Sequence, residues 1–456
     1  MTSAPDHGRH GILRTLIDNS LLLIIGTLVA LIWANVAASR GSDSYHHFVD
    51  FDVTSFWSGG LHVDHRAADH GASVAMNSHE PAILAHEGET STAGHHGLTL
   101  HFIVNDILMA LFFAIAAKEV WESLLPGGEL SNPRRAATPL MATIGGIIGP
   151  VAVYLGMATF MGGTAFTDFG NGWAVPCATD IAFSYLIAKF IFGASHPAIA
   201  FLLLLAIADD AAGLVILAVF YPQASVVPAW LLMTAAAIGL GLAMRKMRVH
   251  SHWAYLLGPG VLSWISFYQA NIHPALGLVP IIPTLPHAHT DLGLFARAEL
   301  DRDDTLNEFE HFWKTPVEYM LGAFGLVNAG VVVGSLGTGT WLVLAGLVIG
   351  KPLGITGMTW LAEKGLGLEK PAAMSYRHVF TLGMIAAIGF TVALFVSVAA
   401  FRQAGPIQDS VKMGALLSFV AAPLAVVIGR ALGIHAWKEN ADESAETTGV
   451  AVSTAA

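Results

Sequence analysis

Charge is what this sequence has least of. Only 12% of its 456 residues are Asp, Glu, Lys or Arg, where a soluble globular chain carries about 25%. With 54% hydrophobic residues and a mean hydropathy of +0.61, that shortfall excludes a disordered chain, a basic nucleic-acid-binding protein and an ordinary cytosolic enzyme. Cysteine is nearly absent as well. Cys177 stands alone, so neither an intrachain disulfide nor a cysteine-built metal site can form. No P-loop or similar motif occurs, which argues against a nucleotide-driven pump, and no cofactor is expected. What remains is an all-α polytopic protein whose solvent is the lipid bilayer. Its 47 glycines suit close helix packing and interrupted helices in that solvent.

A spanning helix needs about 20 mostly apolar residues. Twelve such runs are read near 12–37, 99–124, 137–160, 173–191, 196–220, 227–245, 253–266, 270–284, 316–334, 341–362, 377–400 and 411–434. The first is too long for a signal-peptide core, so it is expected to stay. Lys and Arg set the orientation. With the N-terminus inside, the cytoplasmic ends hold Arg9, Arg14, Lys118, Arg134, Arg135, Arg245, Lys246, Arg248 and most of the rest, while the outside holds only Arg40, Arg66, Arg402 and Lys412. The reading is a cytoplasmic N-terminus at 1–11, a membrane domain at 12–437 and a disordered cytoplasmic tail at 438–456.

Two polar insertions interrupt the membrane domain. The outer segment 39–98 carries His46, His47, His62, His65, His70, His79, His86, His95 and His96. Their spacing is not that of a compact metal site, and a solvated loop is the plainer reading. Within it, 45–57 shows apolar and aromatic residues in a strand-like pattern, and a hairpin is expected there. The inner segment 285–312 is charged and is expected to lead into the ninth span with a helix.

Ionisable groups at bilayer depth are expensive, so each is a functional hypothesis. Asp180, Asp209, Asp210 and Lys351 lie near the middle of spans, with Asp106 nearer an outer end. Asp209 and Asp210 are adjacent in LLLLAIADDAAGLVILAVF; side chains about 100° apart can border one cavity. Two carboxylates roughly 6 Å apart repel by about 3 kcal/mol at an effective dielectric of about 20. The empty pair is therefore expected to keep at least one proton near neutral pH and to titrate as a unit. A small cation entering between the carboxylates supplies the missing positive charge and expels protons. Protons or a metal cation at one site is the chemical requirement for antiport. Lys351 is the natural counter-charge.

Two spans carry breaks. WAVPCATDIAFSYLIAKF has Pro176 followed at once by Thr179 and Asp180; GMIAAIGFTVALFVSV has Gly389 and Thr391 at its middle. They are the central members of two triplets, spans 3–5 and 10–12. Interrupted helices at matching positions of two repeats mark an ion site. The breaks bare carbonyls and half-helix ends, which Asp180 and Lys351 can neutralise.

At this point the sequence resembles the NhaA family of bacterial sodium/proton antiporters. The strings that carry the likeness are VNDILMALFF (104–113), GWAVPCATDIAF (172–183), LLAIADDAAGLVILAVFY (204–221), IHPALGLV (272–279), VNAGVVV (327–333), IGKPLGI (349–355) and AAIGFTVALF (386–395). The resemblance implies about twelve helices in inverted repeats, with spans 4 and 11 unwound and crossed. It implies an inner-membrane homodimer joined through an outer hairpin, with both termini cytoplasmic, exchanging Na+ or Li+ for external protons. By motif it implies cation and proton binding at Asp209 and Asp210, an Asp209–Lys351 pair, and Thr179 and Asp180 in the unwound fourth span. It also implies a pH-response role for His273. Two stretches that the family ties to pH activation differ here. The family's Glu-Val/Ile-Lys-Arg-Glu reads Glu119-Val120-Trp121-Glu122-Ser123, and the start of span nine reads Glu308-Phe309-Glu310-His311-Phe312-Trp313-Lys314. The alternatives are a sodium-coupled solute symporter, which needs a larger polar pocket, and a membrane sensor of pH or metal acting through the His-rich loop.

Overall fold

The computed structural model describes residues 21–56, 98–128, 130–287, 304–371, 374–401 and 403–434. The N-terminus to residue 20, the His-rich stretch 57–97, most of the inner segment (288–303) and the tail from 435 lie outside the described residues.

Among the described residues the chain is helical, without a named strand. We label Leu21–Ser39 α1, Leu100–Leu124 α2, Ala136–Met161 α3, Pro197–Phe220 α5, Pro228–Lys246 α6, Thr338–Leu366 α10 and Pro406–Ala431 α12; these seven are long and apolar enough to cross a bilayer. Two further spans are bent pairs: α4a (Ala165–Cys177) with α4b (Ile181–Phe192) at 55°, and α11a (Tyr376–Ala386) with α11b (Phe390–Ala400) at 53°. That makes nine by length and apolarity among the described residues. The other three expected runs correspond to a short π-containing helix α7 at 252–269, a short α8 (Pro274–Thr284) and α9 (Thr305–Asn328), whose first turns are charged. Length and composition alone thus do not reach twelve. α9 begins inside the charged segment, where the Asp304 side chain accepts the Asn307 N–H at 2.9 Å as an N-cap.

The hairpin expected at 45–57 is corrected. Its described part is a helix, Ser44–Val49, followed by a 3₁₀ turn, Val53–Phe56, with only an isolated bridge from Asp52 to Thr99. Tyr45 decides this. Its ring packs edge-on to Trp33, its hydroxyl reaches the Leu326 and Val327 carbonyls at 2.9 and 2.8 Å, and it accepts the Gly330 N–H at 3.0 Å. Val49, one helical turn on, is buried on the same side.

The tightest crossing is between α3 and α10. On α10, Gly346, Gly350 and Gly354 recur every four residues, so they line one face. A Cβ on Gly350 would lie 2.7 Å from the Gly149 carbonyl oxygen and from Pro150 Cα; one on Gly354 would lie 2.9 Å from Gly149 Cα. Backbone meets backbone here, as small residues allow in membrane helices. Residues 346–350 form a π turn, and Lys351 follows it directly. We expect Gly354→Leu to cost at least the ~1–3 kcal/mol typical of overpacking and to stop transport by moving Lys351. A lowered melting temperature in detergent, together with lost flux in vesicles, checks this.

Candidate functional site

The two breaks lie against each other. α4a ends at Cys177, Ala178 is extended (ψ 148°), and α4b restarts with Asp180 as its N-cap, accepting the Phe183 N–H at 3.3 Å. α11a ends at Ala386 and α11b restarts after Gly389. The Asp180 N–H donates to the Ile388 carbonyl at 2.7 Å, and Ser184 Oγ donates to the Ile385 carbonyl at 3.1 Å. Thr391 donates to the Asp180 carboxylate through its hydroxyl and through its N–H, the latter at 3.4 Å. One carboxylate therefore faces the N-terminal ends of both α4b and α11b, where half-helix dipoles place positive partial charge.

Lys351 faces the opposite kind of end. Fully buried, it donates to the Cys177 carbonyl at the close of α4a and to Asp209 Oδ2 at 3.0 Å. Asp209 Oδ2 also accepts the Thr179 hydroxyl at 2.7 Å. The neighbouring Asp210 differs. Among the described residues no side chain hydrogen-bonds its carboxylate, and it borders two spaces. One is a small apolar chamber lined by Phe112, Phe113, Ile147, Cys177, Leu217 and Val396, which Asp209 also borders. The other is a funnel of about 220 Å³ lined by Glu119, Asp180, Asp210, Thr391, Glu310, Lys314 and Glu318. On the far side of the chamber is a polar cleft lined by Asp168, Asn171, Trp173, Tyr221, Gln403 and Gln408.

A family model described as Na+/H+ antiporter 1 matches residues 71–430. The Na(+)/H(+) antiporter NhaA of Jannaschia sp. (strain CCS1) is 49% identical over 435 residues, 90% of this chain and 95% of that protein. The chain belongs to the NhaA family of Na+/H+ antiporters. The NhaA antiporters of Desulfitobacterium hafniense (strain DSM 10664 / DCB-2) and Geotalea uraniireducens (strain Rf4) are each 44% identical, over 92% and 91% of this chain and 96% and 95% of theirs. As an NhaA-family protein it is a polytopic helical membrane protein.

The two stretches expected from the resemblance to carry a pH response reach the funnel through Glu119, Glu310 and Lys314. Lys118, near the end of α2, lies between Glu122 at 2.6 Å and Glu310 of α9, which bolts the two helices together. Glu119 and Glu310 line the funnel. His311 does not join them; it is exposed on another face of α9. His273 is also apart. It is buried just before α8, 3.6 Å from the Asp106 carboxylate, with its ring against Phe395 at 4.9 Å. Asp106 belongs to a π turn of α2, Ile103–Leu108, whose irregular backbone leaves the Asp106 carbonyl to accept Trp264 Nε1 at 2.8 Å. Sequence reasoning did not find the Cys177 carbonyl as a partner of Lys351, nor the Lys118–Glu310 bridge. The first is a backbone atom, and the second joins residues 192 positions apart.

Proposed function

We propose that this protein exports Na+ (or Li+) from the cytoplasm in exchange for external protons, by alternating access at Asp209 and Asp210. One observation carries the reading. Of two adjacent carboxylates, Asp209 is buried and neutralised by a buried ammonium and a hydroxyl, and Asp210, half-buried, stands open at the end of an acidic funnel. A cation descending the funnel meets Asp210 first. It completes its shell by drawing on Asp209, which must then give up its hydrogen bond from Thr179 and its contact with Lys351. Protons held by the pair, or by Lys351 once its partner is engaged, leave as the metal enters. The apolar chamber beyond the pair seals the outer cleft in this conformation. The site therefore faces the side that Lys and Arg mark as cytoplasmic. Reorientation exposes it outward, where protons displace the metal. If two protons move per sodium, one net charge crosses per cycle. Each such charge is worth about 2.3 kcal/mol per 100 mV, and the inside-negative potential drives sodium out.

The setting proposed is a bacterial inner membrane, with both termini cytoplasmic and a homodimer as the working form. Residues 45–56, a helix and a 3₁₀ turn with Asp52 in an isolated bridge between them, do not supply the strand pair through which that dimer was expected to form. The chamber's apolar lining disfavours the symporter reading, since a co-transported solute needs polar partners. The test is proton flux in proteoliposomes driven by sodium or lithium gradients at several pH values. We expect either cation to move protons in the opposite direction. Sodium entry without proton counter-movement would leave the exchange reading without support.

A further inference from the structure

The tie between the broken helices rests on three donors from the α4 side. They are the Thr179 hydroxyl, 3.3 Å from the Ala386 carbonyl, the Asp180 N–H on Ile388, and the Ser184 hydroxyl on Ile385. These carbonyls close α11a, and a helix C-terminus buried without donors is costly. The three donors are not equivalent. Thr179 has a single hydroxyl proton, and it lies 2.7 Å from Asp209 against 3.3 Å from Ala386, so its hydrogen serves the ion site. Asp180 carries the carboxylate that faces both half-helix ends. Ser184 is fully buried, one turn further along α4b, and lies outside both cavities that Asp210 borders.

We infer that Ser184 is a positioning residue for cation binding, holding α4b on α11a while Thr179 and Asp209 rearrange around the metal. The inference rests on the antiport reading and adds a residue to it. When a cation arrives, the Thr179 oxygen turns its lone pairs toward the metal, and its proton is free to swing to Ala386. That swing is productive only if the α11a carbonyls stay where they are. The Ser184 bond to Ile385 keeps them there, because its own partners do not change on binding. The Ile385 carbonyl also takes the Ile388 N–H at 3.1 Å, and an sp² oxygen accommodates both. Without the Ser184 hydroxyl, the crossing is loose before the ion binds, and part of the binding energy goes into ordering it. That cost appears in affinity, not in the speed of reorientation.

Ser397 provides the control. It is equally buried, but its hydroxyl donates to Leu394 within its own helix at 2.6 Å. The experiment measures sodium- and lithium-driven proton flux in proteoliposomes for the full chain, Ser184→Ala, Ser184→Cys and Ser397→Ala. In both Ser184 variants we expect KM for either cation to rise about ten-fold, the size of one lost buried hydrogen bond. Maximal rate should stay within about two-fold, the pattern of weakened ground-state binding. Ser397→Ala should keep the parent KM. If Ser184→Ala does not fold, Ser184→Cys carries the test, since a thiol fills the hydroxyl's place with a somewhat larger atom but is a weak donor. A parental KM in Ser184→Cys overturns the inference. So does a fall in maximal rate at unchanged KM. Absence of flux in the parent protein would instead overturn the antiport reading beneath it.

Discussion

Asp210→Asn abolishes cation-dependent proton movement. That is the largest functional effect expected from any single replacement, and the geometry makes it a clean one. Asn has nearly the shape of Asp but no charge and no carboxyl proton, so it can neither neutralise a cation nor exchange a proton for it. No hydrogen-bond partner is stranded, because none of the described side chains bonds the Asp210 carboxylate. The variant should therefore fold and melt like the parent. Asp209→Asn is a less discriminating experiment. It leaves Lys351 buried with its counter-charge removed, and breaking a buried pair this way costs about 3–5 kcal/mol. Sodium-induced dequenching of a pH-sensitive dye in everted vesicles decides the matter. Undiminished dequenching by Asp210→Asn would sink the assignment.

Lys351→Met has the largest expected effect on stability. Lys351 is 0% exposed and its ammonium is held by Asp209 and the Cys177 carbonyl. Met fills much the same volume, so the loss is electrostatic rather than a cavity. A carboxylate left alone at bilayer depth must take up a proton or go unpaired, and removing one partner of a buried pair costs about 3–5 kcal/mol. The double replacement Lys351→Met/Asp209→Asn removes both charges and should recover most of that loss. Thermal melting of the four proteins in one detergent gives the coupling by a double-mutant cycle. Additive single effects would show that the two side chains do not depend on each other. The double variant should still fail to transport, which separates stability from function.

Much of the architecture is legible in the sequence because lipid imposes it. Backbone polar groups have no water to turn to, so spans must be helical and apolar, and a carboxylate or ammonium inside one stands out. Asp180, Asp209, Asp210 and Lys351 are visible for that reason. So are the two breaks, because Pro176 and Gly389 sit where an uninterrupted helix needs neither. The misreading at 45–57 has the opposite cause. Outside the bilayer that constraint lapses, and a short apolar and aromatic stretch reads equally as strand or helix. Contacts far along the chain, to Trp33 and to the backbone at 326–330, then settle Tyr45 and Val49 as one helical face.

Chain order alone was enough for the membrane class, for the long apolar helices and for the adjacency of two acids, since each depends on local composition or on chain neighbours. Packing in three dimensions supplied the means by which Lys351 reaches Asp209, the partner that the resemblance implied, since that contact turns on a π turn and on glycine faces that let α3 and α10 touch. It likewise decided that Asp180 serves two helix ends at once, for Thr391 comes to it from 211 residues away. Packing made these choices because at this depth each charge must find a partner across the fold, and chain order says nothing about which partners meet.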